Sequence, residues 1–135
     1  MTTPREVLER YRVVAVVGAS RSMRKAAGRI PAQLQRAGYR VIPVNPHADI
    51  LLGERAYAQL EDIPEPVELV NVFRPPAEAA DVTRQAVAIG AKAVWLQLDI
   101  ASEEARRIAQ EAGLDYVEDR CIAVEVDRYG ITKSA

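Results

Sequence analysis

Cysteine, histidine, phenylalanine and tryptophan each occur once in this 135-residue chain, and the stretch from Val13 to Ala48 contains no aspartate or glutamate at all. Each scarcity excludes something. A lone Cys121 cannot build an internal disulfide framework. With His47 the lone histidine and no metal-ligand cluster apparent, metal chemistry has no support, and no carboxylate pair or Ser-His-Asp set supports hydrolysis. No apolar run approaches the roughly 20 residues that span a bilayer. The segment Met1-Thr2-Thr3-Pro4-Arg5-Glu6 lacks the apolar core of a signal peptide, so the cytoplasm is the expected location. The net charge of −1 lacks the basic excess of a nucleic-acid binder.

What is present is a hydrophobic content of 49%, enough for one ordinary domain over 1–135 that buries roughly two-thirds of its unfolded surface. We expect its core to cover about 11–125, with a polar, frayed tail over 127–135. Thr3-Pro4-Arg5-Glu6 reads as a capping box opening a helix that runs to about Arg10. Val13–Val17 is a continuous apolar run of strand length, as expected of a strand covered on both faces. A helix then runs through Leu34–Ala37 to a stop at Gly38, and Pro31 requires it to begin near Gly28 or to kink. Further strands are expected over 40–44, 68–73, 93–98 and 115–117. Between them, helices are expected over 77–89 and from Ser102 to Gly113, with a short extended piece at 55–57 and a loop at 61–66.

This alternation predicts an α/β, Rossmann-like three-layer sandwich: a five-stranded parallel sheet with helices on both faces. In such sheets ligands sit beyond the carboxyl ends of the strands. The segments Gly18-Ala19-Ser20, Asn45-Pro46, Arg74-Pro75, Gln97-Leu98-Asp99 and Asp119-Arg120-Cys121 are therefore expected to converge.

The acid-free stretch holds six cations: Arg21, Arg24, Lys25, Arg29, Arg36 and Arg40. A loop and helix start with cations nearby suit phosphate groups. Arg24 and Lys25 lie in the loop, and Arg21 beside them is a weaker candidate. Solvated surface arginine is the plainer reading of the others, and Arg36 and Arg40 fall at the far end of the helix. Dinucleotide binding by G-x-G-x-x-G fails on detail, because Ser20 and Met23 occupy glycine positions and the second strand ends in Val44-Asn45 instead of an acid.

The motifs Val16-Val17-Gly18-Ala19-Ser20, Gly38-Tyr39-Arg40-Val41-Ile42-Pro43-Val44-Asn45-Pro46, Val70-Asn71-Val72-Phe73-Arg74, Gly90 to Leu98 and Asp119-Arg120-Cys121 occur in order across about Tyr11–Glu125. In this the chain resembles the stand-alone CoA-binding domain family, itself similar to the CoA-binding domain of succinyl-CoA synthetase and ADP-forming acyl-CoA ligases. The resemblance implies a ligand, coenzyme A or an acyl-CoA. It implies that Gly18, Ala19 and Ser20 wrap the phosphates, with Lys25 as the basic residue of that loop. Pro43, Val44, Asn45 and Pro46 would lie along the adenosine, and Phe73 and Arg74 would close the site. Arg24 and Gln97 join the expected site by position alone, in the loop and at the fourth strand's end. The chain departs from the family pattern at Arg21-Ser22-Met23-Arg24, which lacks prolines, at Ala27 and at Asp99, where glycine is usual.

The ligases use a histidine from another domain, so His47 is expected to be a surface residue without a catalytic role. Cys121 beside Arg120 suits a lowered thiol pKa and a mixed disulfide with the CoA thiol, although a small inert residue is the plainer reading. We therefore expect a binding protein without catalysis of its own. The alternatives are a subunit or regulator of an acyl-CoA-utilising enzyme and, ranked last, an NAD(P)-binding module.

Overall fold

A computed structural model describes residues 2–134 of the chain. In chain order its elements are α1 (Pro4–Arg10), β1 (Val13–Val17), α2 (Ala26–Arg36), β2 (Arg40–Val44), β3 (Ile50–Leu51), β4 (Glu54–Arg55), β5 (Leu69–Val72), α3 (Pro76–Ala88), β6 (Ala93–Leu96), α4 (Glu103–Glu111), β7 (Asp115–Val117) and α5 (Ile122–Arg128). Five strands form one parallel sheet in the order β2-β1-β5-β6-β7, so the expected Rossmann-like architecture is the one observed.

Alternation along each strand divides the core into two layers. Val14, Val16, Leu69 and Trp95 face α1, α2 and α5, where Leu8, Leu34 and Ile122 meet them. Ala15, Ile42, Val70, Val94 and Leu96 face α3 and α4, packing on Ala79, Val82, Ala86 and Ala105. Each fully buried branched side chain contributes about 1.5–3 kcal/mol relative to exposure. No helix among the described residues is long and apolar enough to cross a membrane.

Local signals account for the helix ends. Thr3 Oγ1 accepts the Glu6 N–H while the Glu6 carboxylate accepts the Thr3 N–H, completing the capping box. Ser102 Oγ accepts the Ala105 N–H at the start of α4. Where the expected bounds differ, the change is small: β5 covers 69–72, β6 ends at Leu96, and α3 runs Pro76–Ala88. Residues 50–55 form a two-stranded hairpin around Gly53, and Leu60–Asp62 is a turn of 3-10 helix.

The carboxyl-terminal segment departs most from expectation. Residues 122–128 are helical, and the tail beyond them is held down rather than frayed, apart from Ala135, which lies outside the described residues. Lys133 N–H donates to the Ala37 carbonyl (2.7 Å), and its ammonium donates to the Glu9 carbonyl (2.6 Å). The tail crosses so near Gly38 (φ +95°) that a Cβ there would lie 2.0 Å from the Lys133 carbonyl oxygen. Burial pushes the Lys133 pKa down from its ordinary value.

Candidate functional site

The loop after β1 is shaped by close backbone contact. Gly18 adopts φ +89°, a conformation that side chains disfavour, and an added Cβ would lie 3.1 Å from both Arg74 Cδ and the Phe73 carbonyl oxygen. Gly28, one turn into α2, lets the loop lie directly on the helix: a Cβ would sit 2.1 Å from the Ser22 carbonyl oxygen. This glycine supplies the close approach that the G-x-G-x-x-G spacing does not.

Pro31 lies inside α2, which begins at Ala26 instead of near Gly28. A residue at 31 with an N–H would donate to the carbonyl four residues earlier, that of Ala27. Proline leaves this carbonyl free, and the Ser20 N–H takes it at 3.0 Å. The helix defect thus pins the loop.

That pinning revises the expected phosphate loop. The Gly18 N–H donates to the Val44 carbonyl (3.1 Å) and the Ser20 N–H to Ala27, so neither is free. The Ser20 hydroxyl accepts the Ser22 N–H (3.1 Å). The N–H groups of Ala19, Ala26 and Ala27 have no acceptor among the described residues, and Lys25, at the N-cap of α2, makes no side-chain cap. The donors on offer include those of Ala19 and the start of α2.

A cavity of about 490 Å³ opens beside this loop at the carboxyl ends of β1, β2 and β5. Gly18, Ala19, Ser20, Lys25, Val44, Asn45, Pro46 and Arg74 line it, eight of the residues expected at the site. His47, Ala58, Gln59 and Leu60 add a second side, and Glu78, Asp81, Val82 and Gln85 of α3 a third. The α3 residues went unnoticed in the sequence, although their positions repeat at helical spacing.

Four expected residues do not line the cavity. Pro43 is a buried residue of β2 whose carbonyl accepts the Tyr57 N–H. The Phe73 side chain packs against the α1/α2/α5 layer of the core, leaving its backbone against Gly18. Arg24 is exposed, and its carbonyl accepts from the Arg29 guanidinium (3.2 Å). Gln97 is 4% exposed because its side chain turns inward, where Oε1 accepts the Ile122 N–H (3.1 Å) and lies 3.4 Å from Asn71 Nδ2.

Asn45 acts as a latch between loops. Its Nδ2 donates to the Ala19 carbonyl (2.8 Å) and its Oδ1 accepts the His47 N–H (2.7 Å). The Arg21 guanidinium donates to the His47 carbonyl (3.0 Å), joining the same two loops. His47 is exposed at the cavity, as a surface residue would be.

Arg74 is oriented by Glu78, which accepts from its Nε and Nη2 at 2.9–3.1 Å. The guanidinium edge formed by Nη1 and Nη2 is left facing outward from that pair. Arg40 serves elsewhere: Glu65 and Glu54 bind it and raise its pKa, Glu65 contributing most. Trp95 is fully buried, its Nε1 donating to the Arg120 carbonyl (2.8 Å). Cys121 is half-buried at the N-cap of α5, packed on the core, and does not line the cavity.

A glycine-shaped loop, a helix start with free donors and a cavity at the sheet's carboxyl edge are the features that comparison with known proteins has to explain. A family model described as "CoA binding domain" matches residues 12–127. The chain belongs to this CoA-binding domain family. It is 35% identical over 120 residues to the uncharacterized protein YneT of Bacillus subtilis, covering 89% of each chain. It is 31% identical over 99 residues to an ADP-forming acetate–CoA ligase of Archaeoglobus fulgidus, covering 72% of this chain and 15% of the ligase. The structure of a hypothetical protein from Pyrococcus horikoshii superposes with a TM-score of 0.89 at 39% identity, covering 93% of this chain and 88% of that one. The CoA-binding domain described here is thus homologous to one part of the ADP-forming acyl-CoA ligases and also resembles proteins close to its own length.

Proposed function

We propose that this CoA-binding domain binds coenzyme A, or an acyl-CoA, in the cavity beside the β1 loop, with the ligand's phosphates on the Ala19–Lys25 side. One observation carries the reading. A cavity of about 490 Å³ is lined by Ala19, whose N–H is unpaired, by Lys25 at the N-cap of α2 and by Arg74, and the unpaired N–H groups of Ala26 and Ala27 follow directly on Lys25. Such a setting suits an anion twice over, through charge-assisted hydrogen bonds and the positive end of the α2 dipole. The volume is within the usual range for nucleotide-sized ligands, roughly 300–1,000 Å³.

The protein works as a carrier, sensor or regulatory partner in the cytoplasm and performs no chemistry of its own. The homology to a part of an acetate–CoA ligase supports a second role, as the CoA-holding subunit of an enzyme whose catalytic residues come from another chain.

Thermal unfolding with CoA, acetyl-CoA and NAD added separately tests the reading. CoA at about 100 times its Kd stabilises the native state by about 2.7 kcal/mol, a rise in Tm on the order of 10 °C. NAD is expected to leave Tm unchanged, and a shift with NAD but not CoA overturns the proposal.

A further inference from the structure

The α3 side of the cavity has the wrong charge for a phosphate. Glu78, Asp81, Val82 and Gln85 fall on one face of α3, at intervals of three, four and seven residues from Glu78, and all four line the cavity. Glu78 is committed to Arg74. Asp81 Oδ2 accepts from Gln85 Nε2 at 3.1 Å. That bond sets the amide's orientation, so Asp81 Oδ1 and Gln85 Oε1 are both acceptors without a donor among the described residues.

The same cavity also offers an apolar slot. Val44, Leu60 and Val82 line it and are 4%, 1% and 6% exposed. A flat ring is the ligand component that fills a slot of this kind while keeping a polar edge at the rim. The edge it presents there must donate, because an acceptor would meet two acceptors and one full negative charge.

We propose that Asp81, oriented by Gln85, is a specificity-determining residue that reads a 6-amino purine and rejects a 6-oxo purine. The proposal rests on the CoA reading above and adds the ligand's direction to it: phosphates on the β1 loop, base in the slot, exocyclic amine on Asp81. The same wall repels any pose that turns the phosphates toward α3.

Titration of the full chain with CoA and with its hypoxanthine counterpart, in which an oxo group replaces the amine, tests this. Wild type is expected to bind CoA about tenfold more tightly, the modest factor being set by the solvent exposure of Asp81. Asp81→Asn should level or invert the preference, since an amide N–H can donate to the oxo group. Asp81→Ala should level it by weakening CoA alone. An equal affinity of wild type for both compounds, or a preference that survives in Asp81→Asn, overturns the assignment while leaving CoA binding intact. Failure of CoA to bind wild type overturns the CoA reading itself, and this one with it. Because Asp81 is exposed, the free variants should melt with wild type, and that control separates lost specificity from lost folding.

Discussion

The two halves of the sheet's carboxyl edge end in opposite ways. At β1, β2 and β5 the chain leaves donors unpaired around a cavity, whereas at β6 and β7 the following loops bond to each other. The Asp99 N–H donates to Asp119 Oδ1 (2.8 Å), the Asp119 N–H to the Ile100 carbonyl (3.0 Å), and Gln97 reaches inward to the α5 start. Both halves have the same parallel topology, so strand ends alone do not make a site. What distinguishes them is where the backbone's hydrogen bonds go: satisfied internally, an edge is closed; left open beside a cavity, it can take a ligand.

Substitutions that block one half and spare the other sharpen this contrast. Gly28→Val should have the largest effect, because its Cβ meets the Ser22 carbonyl oxygen at 2.1 Å and the loop must move off the helix. Overpacking of this kind costs about 1–3 kcal/mol, and calorimetry should find CoA binding lost with it. Gln97→Leu acts on the closed half: it strands the buried Ile122 N–H, at a cost of about 1–3 kcal/mol in denaturant unfolding, and should leave the CoA affinity of the folded protein unchanged.

Smaller effects divide the cations. Lys25→Ala should weaken CoA binding by about tenfold and reduce its salt dependence, while Arg24→Ala, outside the cavity, should leave titration curves near wild type. Pro31→Ala restores an N–H that competes with Ser20 for the Ala27 carbonyl. It should stiffen α2 yet lower CoA affinity a few-fold, a split that paired melting and binding measurements detect.

The smallest effect lies in the acid range. Arg40 holds the Glu65 pKa below its ordinary 4.5. Stability from this pair is therefore complete above that value and lost as pH falls through the lowered one. Glu65→Gln should flatten the acid limb of a stability-versus-pH curve without touching CoA binding, because Arg40 lies away from the cavity.

The sequence made the sheet legible because β1 and β2 carry short apolar runs, Val13–Val17 ending at Gly18 and Val41–Val44 ending at Asn45. It hid α5 because Ile122-Ala123-Val124-Glu125-Val126 alternates like a strand. Its helicity is imposed by position, with Ile122 buried and its N–H held by Gln97. The tail is ordered for a related reason: Lys133 bonds through its N–H to the Ala37 carbonyl and through its ammonium to the Glu9 carbonyl, a partnership only folding creates.

In the site, proximity in sequence to Gly18 identified Ala19, Ser20 and Lys25 as cavity residues. It could not reveal which N–H groups were already spent, since Ser20 is occupied through a carbonyl freed by a proline eleven residues on. Gln97 stands at a strand end, where site residues are expected, but the buried Ile122 N–H draws its side chain inward. Asp99 takes φ +69°, a left-handed conformation that aspartate tolerates better than most side chains, at the position where the resemblance led us to expect glycine.

Diffraction from a crystal soaked with CoA tests the central claim most directly. Density for a pyrophosphate is expected within hydrogen-bond reach of the Ala19 N–H and the Lys25 ammonium, with the base against Val82. Density for CoA at the β6–β7 end of the sheet, or a β1 corner left empty while CoA binds elsewhere, would contradict it.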